Sequence, residues 1–89
     1  MQKGSEQINR IKVEINGEDY YIKGTAPEEY IKQVASYVDK KMKNLSQSHP
    51  NLSRNRVAVL AALNITDELF KLKKEYEEFL SMVDGESRG

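Results

Sequence analysis

The chain has 89 residues, enough for one small domain, and its 14 basic and 14 acidic side chains balance, so no overall field attracts nucleic acid. It has no cysteine, which excludes disulfides, thiol catalysis and thiolate metal sites. No stretch has the ~20 apolar residues of a membrane span, and the polar N-terminus lacks the apolar core of a signal peptide, so we expect a cytoplasmic protein with no membrane partner.

Residues 1–9 are predicted to form a flexible N-terminal tail. Apolar residues then alternate with charged ones, as in a strand that is buried on one face: Ile11, Val13 and Ile15. The dipeptide Asn16-Gly17 follows and is the strongest short signal for a hairpin, because both residues tolerate a positive φ. If they form the turn, Val13 lies opposite Tyr20, and the apolar residues of both strands share one face.

A first helix is predicted from Ala26 to about Leu45. Thr25 and Glu28 have the spacing of a capping box, and Pro27 falls in the first turn, where its missing N–H does no harm. Apolar residues recur along the helix at helical spacing: Ile31, Val34, Val38, Met42 and Leu45. The segment that follows contains a proline and breaks the helix.

A second, long helix is predicted from its N-cap, Ser53, to Val83, where Asp84-Gly85 supplies a stop. One apolar stripe repeats about every 3.5 residues, the period of a coiled-coil contact, and we call it the seam. The seam consists of Ala58, Ala62, Ile65, Leu69, Leu72, Tyr76, Phe79 and Val83. A second apolar stripe is predicted to pack on the hairpin and the first helix: Val57, Leu60, Leu63 and Phe70.

The length of this second helix predicts an oligomer. Its roughly 30 residues would span ~45 Å, whereas a compact domain of this size has a radius of gyration of only ~12 Å. The simplest cover for the protruding part of the seam is the same helix of another copy. We therefore expect an α+β fold of order β-β-α-α in an obligate oligomer, with a head at residues 10–64, a coiled-coil stalk at 65–83 and a flexible tail at 84–89.

The sequence gives no sign of catalysis. His49 is the one histidine and has no cysteine partner, so we expect no metal site. There is no glycine-rich phosphate loop or other cofactor motif. Pairs of carboxylates are plentiful but fall on predicted helices, where they usually face solvent. We therefore expect a protein that is not an enzyme and has no cofactor.

Asn64 interrupts the apolar block at the start of the long helix. A buried amide without a partner would cost roughly 1–3 kcal/mol. We therefore expect this side chain to be buried and bonded either to the head or to a symmetry mate, and direct contact with another protein is the alternative.

Charged residues that folding does not explain cluster in two places on the head. One is the predicted hairpin tip, with Glu18 and Asp19. The other comprises the end of the first helix and the loop after it, with Lys40, Lys43, His49, Arg54 and Arg56. Such a basic patch would suit an acidic protein surface, and it is too small and too poor in aromatic residues to suggest nucleic acid. The alternative is that these charges only keep the head soluble.

Two stretches resemble the ZapA family of bacterial cell-division proteins. They are VEINGEDYYIKG at residues 13–24 and RVAVLAALNITDEL at residues 56–69, with a predicted helix between them. The most specific part is the run AALNI at residues 61–65. The resemblance covers about residues 11–76, which is most of the chain.

This resemblance implies a cytoplasmic, non-enzymatic partner of the tubulin-like GTPase FtsZ that acts at midcell. Members of the family bind FtsZ protofilaments through the head and bundle or cross-link them, which supports the Z-ring. They form homodimers through the head and the long helix, and longer members pair two dimers into an antiparallel tetramer. For this chain, a homodimer and a dimer of dimers both stay open.

The family's FtsZ contact involves charged residues near the hairpin tip and the connection between the helices. In this chain the corresponding positions are Glu18, residues 46–50, Asn55 and Leu60. Several of them are uncharged here, unlike in enterobacterial relatives. Together with the basic cluster they give the candidate FtsZ-binding residues Glu18, Lys43, Ser46, His49, Arg54, Asn55 and Arg56.

Two other functions stay open at this point. One is a coiled-coil homo-oligomeric adaptor with a different protein partner, and the other is a small nucleic-acid-binding dimer. Co-sedimentation with FtsZ distinguishes the adaptor, and DNA binding that weakens steeply with salt would favour the nucleic-acid reading.

Overall fold

The computed structural model describes residues 8–88, and the side chains of residues 8–85. Two antiparallel strands precede two helices, which confirms the predicted α+β fold of order β-β-α-α. The elements are β1 (Asn9–Ile15), β2 (Glu18–Gly24), α1 (Glu28–Ser48) and α2 (Arg54–Arg88). Of the predicted N-terminal tail, residues 1–7 lie outside the described residues and Asn9 belongs to β1.

The hairpin has the predicted turn and register. Asn16 and Gly17 both adopt a positive φ, 51° and 87° respectively, as the two central residues of the tightest hairpin turns do. Val13 pairs with Tyr20, as predicted. Because the register is correct, the apolar residues of β1 all face one side of the ribbon, and α1 packs there.

The predicted start of α1 is wrong. The helix begins at Glu28 with Pro27 as its N-cap, and no side chain caps it, so Thr25 and Glu28 do not form a capping box. The reason is local, because a residue that precedes proline is disfavoured in the helical region, which keeps Ala26 out of the helix. The Ala26 carbonyl instead accepts a hydrogen bond of 2.8 Å from the Asn9 side chain of β1. At its other end α1 continues to Ser48, beyond the predicted Leu45.

The head has two small apolar clusters along α1. The first joins the hairpin to the N-terminal half of α1 through Val13, Ile31 and Ala35. The second joins the C-terminal half of α1 to the first turns of α2 through Met42, Val57 and Ala61. Ile15 packs against both clusters, so the end of β1 links the hairpin to both helices.

The prediction that the second apolar stripe of α2 packs on the hairpin and α1 is wrong for the far part of the stripe. Val57 is only 1% exposed and meets α1, but Leu63 and Phe70 are more than 60% exposed. Ala61, four residues after Val57, is the second buried residue of α2. The face that meets α1 therefore follows a row with a spacing of four residues, as helices that pack ridge into groove do.

The N-cap of α2 is confirmed, and its predicted end is wrong. The Ser53 hydroxyl accepts a hydrogen bond of 3.2 Å from the backbone N–H of Arg56, which satisfies one free donor of the first turn. The helix continues through Gly85 to Arg88. Glycine permits the left-handed conformation that ends helices but does not impose it, and Gly85 has no positive φ.

The long helix makes the chain extended. Its 35 residues correspond to about 52 Å at 1.5 Å per residue. The radius of gyration is 18.4 Å, against about 12 Å for a compact chain of this length. None of the helices within residues 8–88 combines the length and apolar character that crossing a membrane requires.

Candidate interaction surfaces

The part of the seam that lies beyond the head is exposed within the subunit. Leu69 and Leu72 are 57% and 64% exposed, and Tyr76 and Phe79 are also mostly exposed. These side chains do not fold back onto the hairpin or α1. An isolated subunit would therefore present a row of large apolar side chains to water, which is the usual mark of an interaction surface.

Closer to the head, the seam joins an apolar face of α1. Ala58 and Ala62 are exposed, and Ile65 is half-buried, where it lines a shallow groove of about 300 Å³ together with Val34 and Tyr37 of α1. A neighbouring groove of similar volume runs from Val34 to Ile22 of β2. The exposed apolar surface is therefore continuous from the stalk, across α1, to the hairpin.

Asn64 lies within α2 with its side chain exposed. The expectation that its amide is buried against the head of its own subunit is therefore wrong, because α1 packs on the row that contains Val57 and Ala61. The other expected partner, a symmetry mate, stays a prediction.

The two predicted charged clusters of the head lie together. The guanidinium of Arg54 in α2 donates a hydrogen bond of 2.7 Å to the carbonyl oxygen of Asn16 at the hairpin tip. Its Nε also lies 3.5 Å from a carboxylate oxygen of Glu18. The Tyr20 hydroxyl donates a hydrogen bond of 2.9 Å to the other carboxylate oxygen, and this bond raises the pKa of Tyr20. Arg54 is far from Asn16 and Glu18 in sequence, and only the packing of the hairpin on the helices brings these residues together.

The end of α1 contacts the same hairpin tip. The backbone N–H of Asn16 donates a hydrogen bond of 2.7 Å to Oδ1 of Asp39, and its side-chain amide lies 3.4 Å from the Ser46 hydroxyl. Lys43 pairs with Oδ2 of Asp39 at 3.1 Å. The bond from the Asn16 N–H is the main cause that lowers the pKa of Asp39, and Lys43 contributes in the same direction.

The candidate residues therefore fall into two groups. Glu18, Lys43, Ser46 and Arg54 have partners within the head, so folding explains part of their charge and polarity. The side chains of His49, Asn55 and Arg56 are exposed on the connection and the first turn of α2. Both groups border the hairpin tip and the helix connection, where an external partner could contact them.

Two residues of this network were missed by sequence reasoning. Asn16 was assigned only to the turn, and Asp39 was not singled out at all. Asp39 and Lys43 are four residues apart on one helix, a spacing that is common in surface ion pairs. This spacing does not predict that Asp39 also contacts a distant hairpin. Only the tertiary arrangement identifies the two as neighbours.

A second polar contact ties α1 to α2 where the head meets the stalk. The Glu68 carboxylate accepts hydrogen bonds from Lys41 and from the Tyr37 hydroxyl. The Lys41 bond, followed by the Tyr37 bond, lowers the pKa of Glu68, and the same contacts raise the pKa values of Lys41 and Tyr37. Beyond this point the large apolar side chains of α2 are mostly exposed, among them Leu69, Leu72 and Tyr76.

Comparison with known proteins agrees with this architecture. A family model described as Cell division protein ZapA matches residues 11–86. A cell division protein ZapA from Geobacillus sp. strain WCH70 is 41% identical over 81 residues, which span 91% of this chain and 93% of that protein.

Two solved structures have similar folds. A ZapA mutant dimer from Geobacillus stearothermophilus superposes with a TM-score of 0.71 at 34% identity, covering 94% of this chain and 98% of the other. A structure described as an unknown conserved bacterial protein from Pseudomonas aeruginosa PAO1 gives a TM-score of 0.72 at 31% identity, covering 90% of this chain and 89% of the other.

Proposed function

The chain belongs to the ZapA family of cell division proteins, and on that premise we propose that it binds FtsZ and bundles or cross-links FtsZ protofilaments at midcell. The observation that carries the proposal is the exposed seam, which continues onto the head. A second copy of the chain covers this surface and places two heads on one coiled-coil rod.

Cross-linking by such a rod needs no chemistry. Each head binds one protofilament weakly, and the rod converts the second binding event into an intramolecular one with a raised effective concentration. A stiff helical pair also fixes the separation of the heads, which favours bundles of regular spacing. The similarity to a dimeric ZapA structure supports this arrangement, and the short stalk is compatible with a dimer or a dimer of dimers.

The filament contact lies on the head, at the hairpin tip and the helix connection. The exposed side chains of His49, Asn55 and Arg56 are free to meet a partner, and Glu18, Lys43, Ser46 and Arg54 border the same region. The exposed basic side chains of the head would complement an acidic region of the filament surface. The acidic hairpin tip would complement a basic region of it. The surface is therefore matched to a protein of mixed charge.

Co-sedimentation with FtsZ and GTP tests this proposal. We expect the wild-type protein to increase the amount of FtsZ in the pellet and Arg56→Glu to reduce that increase, because it reverses an exposed charge at the contact. Lys74→Glu makes the same charge change on the stalk and serves as the matched control, which should act like wild type. No increase with the wild-type protein would contradict FtsZ bundling and would favour an adaptor for another partner.

A further inference from the structure

Asn16 is the most connected polar residue of the hairpin tip. Its N–H donates to Asp39, its side-chain amide lies beside Ser46, and its carbonyl accepts from Arg54. One residue therefore contacts the C-terminal half of α1 and the first turn of α2 together. Asn16 is a central turn residue with a φ of 51°, so its N–H and carbonyl groups lie outside the strand ladder, and both bond to the helices.

These contacts fix a segment that would otherwise move. A two-stranded ribbon is marginally stable in water, and its tip is usually the first part to open. Here Asn16 is half-buried, whereas Gly17, Glu18 and Asp19 beyond it are exposed. The position of the exposed acidic tip relative to the helix connection therefore depends on how firmly Asn16 is held.

Asp39 provides the strongest part of this anchor. Its side chain is only 18% exposed, and it accepts the Asn16 N–H at 2.7 Å, in the range of charge-assisted hydrogen bonds. The lowered pKa of Asp39 agrees with a carboxylate that stays ionised for this bond. Arg54 completes the anchor from the other helix, since it contacts both the Asn16 carbonyl and the Glu18 carboxylate.

We propose that Asn16, Asp39 and Arg54 are positioning residues that hold the hairpin tip against the helix connection, so that the two form one surface for a protein filament. This inference rests on the proposed function and deepens it, because it explains why residues far apart in sequence act as one binding surface. Asn16 and Asp39 act through the tip, and the filament touches the exposed residues around them.

The test compares variants that differ in one contact. Asp39→Ala removes the acceptor for the Asn16 N–H, whereas Asp39→Asn keeps an acceptor oxygen for it but loses the charge and the ion pair with Lys43. Asp67→Ala is the matched control, because it removes an aspartate that also pairs with a lysine four residues on, Lys71, but lies outside the anchor. Arg54→Met removes the bond to the Asn16 carbonyl and provides a second variant if Asp39→Ala does not fold.

Two readouts are measured on the intact oligomer. Amide hydrogen exchange of residues 16–19 reports the anchoring of the tip without any partner, and co-sedimentation with FtsZ filaments reports binding. We expect Asp39→Ala to speed exchange of the Asn16 amide by about tenfold or more, since a hydrogen bond to a charged group is lost. It should also reduce co-sedimentation several-fold at unchanged oligomer mass and helicity. Asp39→Asn should recover part of both, because it keeps the acceptor without the charge, and Asp67→Ala should match wild type.

The outcomes separate this inference from the function it rests on. Unchanged exchange in both Asp39→Ala and Arg54→Met would overturn the anchor. Faster exchange with undiminished co-sedimentation would overturn the positioning role and leave FtsZ binding intact. A wild-type protein that does not sediment with filaments would instead overturn the proposed function, and the filament surface with it.

Discussion

The head and the stalk use the same apolar residue types but cover them by different means. In the head, Val57 and Ala61 of α2 are buried by α1 of their own subunit. A few turns later on the same helix, Leu69 and Leu72 are mostly exposed. The helix itself is continuous through both regions. The two regions differ because α1 covers α2 in the head but does not cover it in the stalk.

The subunit buries the apolar face of α2 only within the head. Where the head meets the stalk, Glu68 of α2 bonds to Lys41 and Tyr37 of α1. Beyond Glu68, the apolar period of α2 continues, but Leu69, Leu72, Tyr76 and Phe79 remain mostly exposed. Stability of the head is therefore largely internal, whereas stability of the stalk depends on the concentration of other copies.

Leu69→Glu in the stalk should have the largest effect on the protein. Burial of one leucine contributes about 1.5–3 kcal/mol, so two copies lose about 3–6 kcal/mol, a factor of roughly 10²–10⁴ in the dissociation constant of a dimer. The cost of burying two carboxylates adds to this. We expect loss of the oligomer with unfolding or aggregation, measured by light scattering and circular dichroism.

Ser81→Glu is the matched control for that substitution. It adds the same charge to the same helix, but Ser81 lies two residues from both Phe79 and Val83, and so about 200° around the helix from the seam. Its mass and helicity should match wild type. A Leu69→Glu protein with the wild-type oligomer mass would refute the seam, and a well-folded monomer would refute the obligate pairing.

A head substitution should have a different signature. Met42→Ala removes a buried side chain between α1 and α2 and should lower the free energy of unfolding by about 2–5 kcal/mol. The oligomer mass should not change at concentrations well above the dissociation constant. Chemical denaturation at fixed protein concentration measures the loss. Met82→Ala makes the same change at an exposed stalk position outside the seam, where an effect within about 0.5 kcal/mol is expected.

Equal losses from Met42→Ala and Met82→Ala would show that the head is no better packed than the stalk surface. That result would remove the distinction between an internally stable head and a partner-dependent stalk.

The smallest expected effect concerns the cluster at the junction of head and stalk. The bonds from Lys41 and Tyr37 lower the pKa of Glu68 from its ordinary 4.5, so its stabilising contribution is present above pH 4.5 and is lost as pH falls through the lower folded value. For Lys41 the pKa is raised from 10.5, so its contribution is present below pH 10.5 and is lost as pH rises through the higher folded value.

Glu68→Gln tests this contribution. The variant should be slightly less stable than wild type near pH 7, and the difference should shrink as pH falls below 4.5 and the wild-type carboxylate is protonated through its lowered pKa. Thermal melts of both proteins across this range measure it. A difference that does not change with pH would mean that the side chain acts through packing and not through its charge.

Features with a local physical cause could be predicted from the sequence. The register of the hairpin follows from Asn16-Gly17 and from the alternation of β1, and the Ser53 cap follows from one side chain. The start of α1 was missed because Pro27 restricts Ala26, an effect that opposes the capping pattern. The end of α2 was missed because a glycine only permits a stop.

The candidate surface was less accessible to sequence reasoning. Its two charged clusters could be named, but their meeting through Asn16 depends on the angle at which the hairpin packs on α1, which no local pattern encodes. The far part of the second apolar stripe also depends on tertiary packing. Phe70 lies nine residues after Ala61, about 180° around the helix, so it faces away from the row that α1 covers.

The dependence of the stalk on a second copy can be tested by the mass of the wild-type protein in solution. Sedimentation equilibrium over a wide concentration range should give twice the chain mass of 10.2 kDa, or a higher even multiple, wherever the protein is helical. A helical species that sediments at 10.2 kDa over the whole range would mean that the bare apolar face of α2 is stable without a second copy, and the account would be wrong.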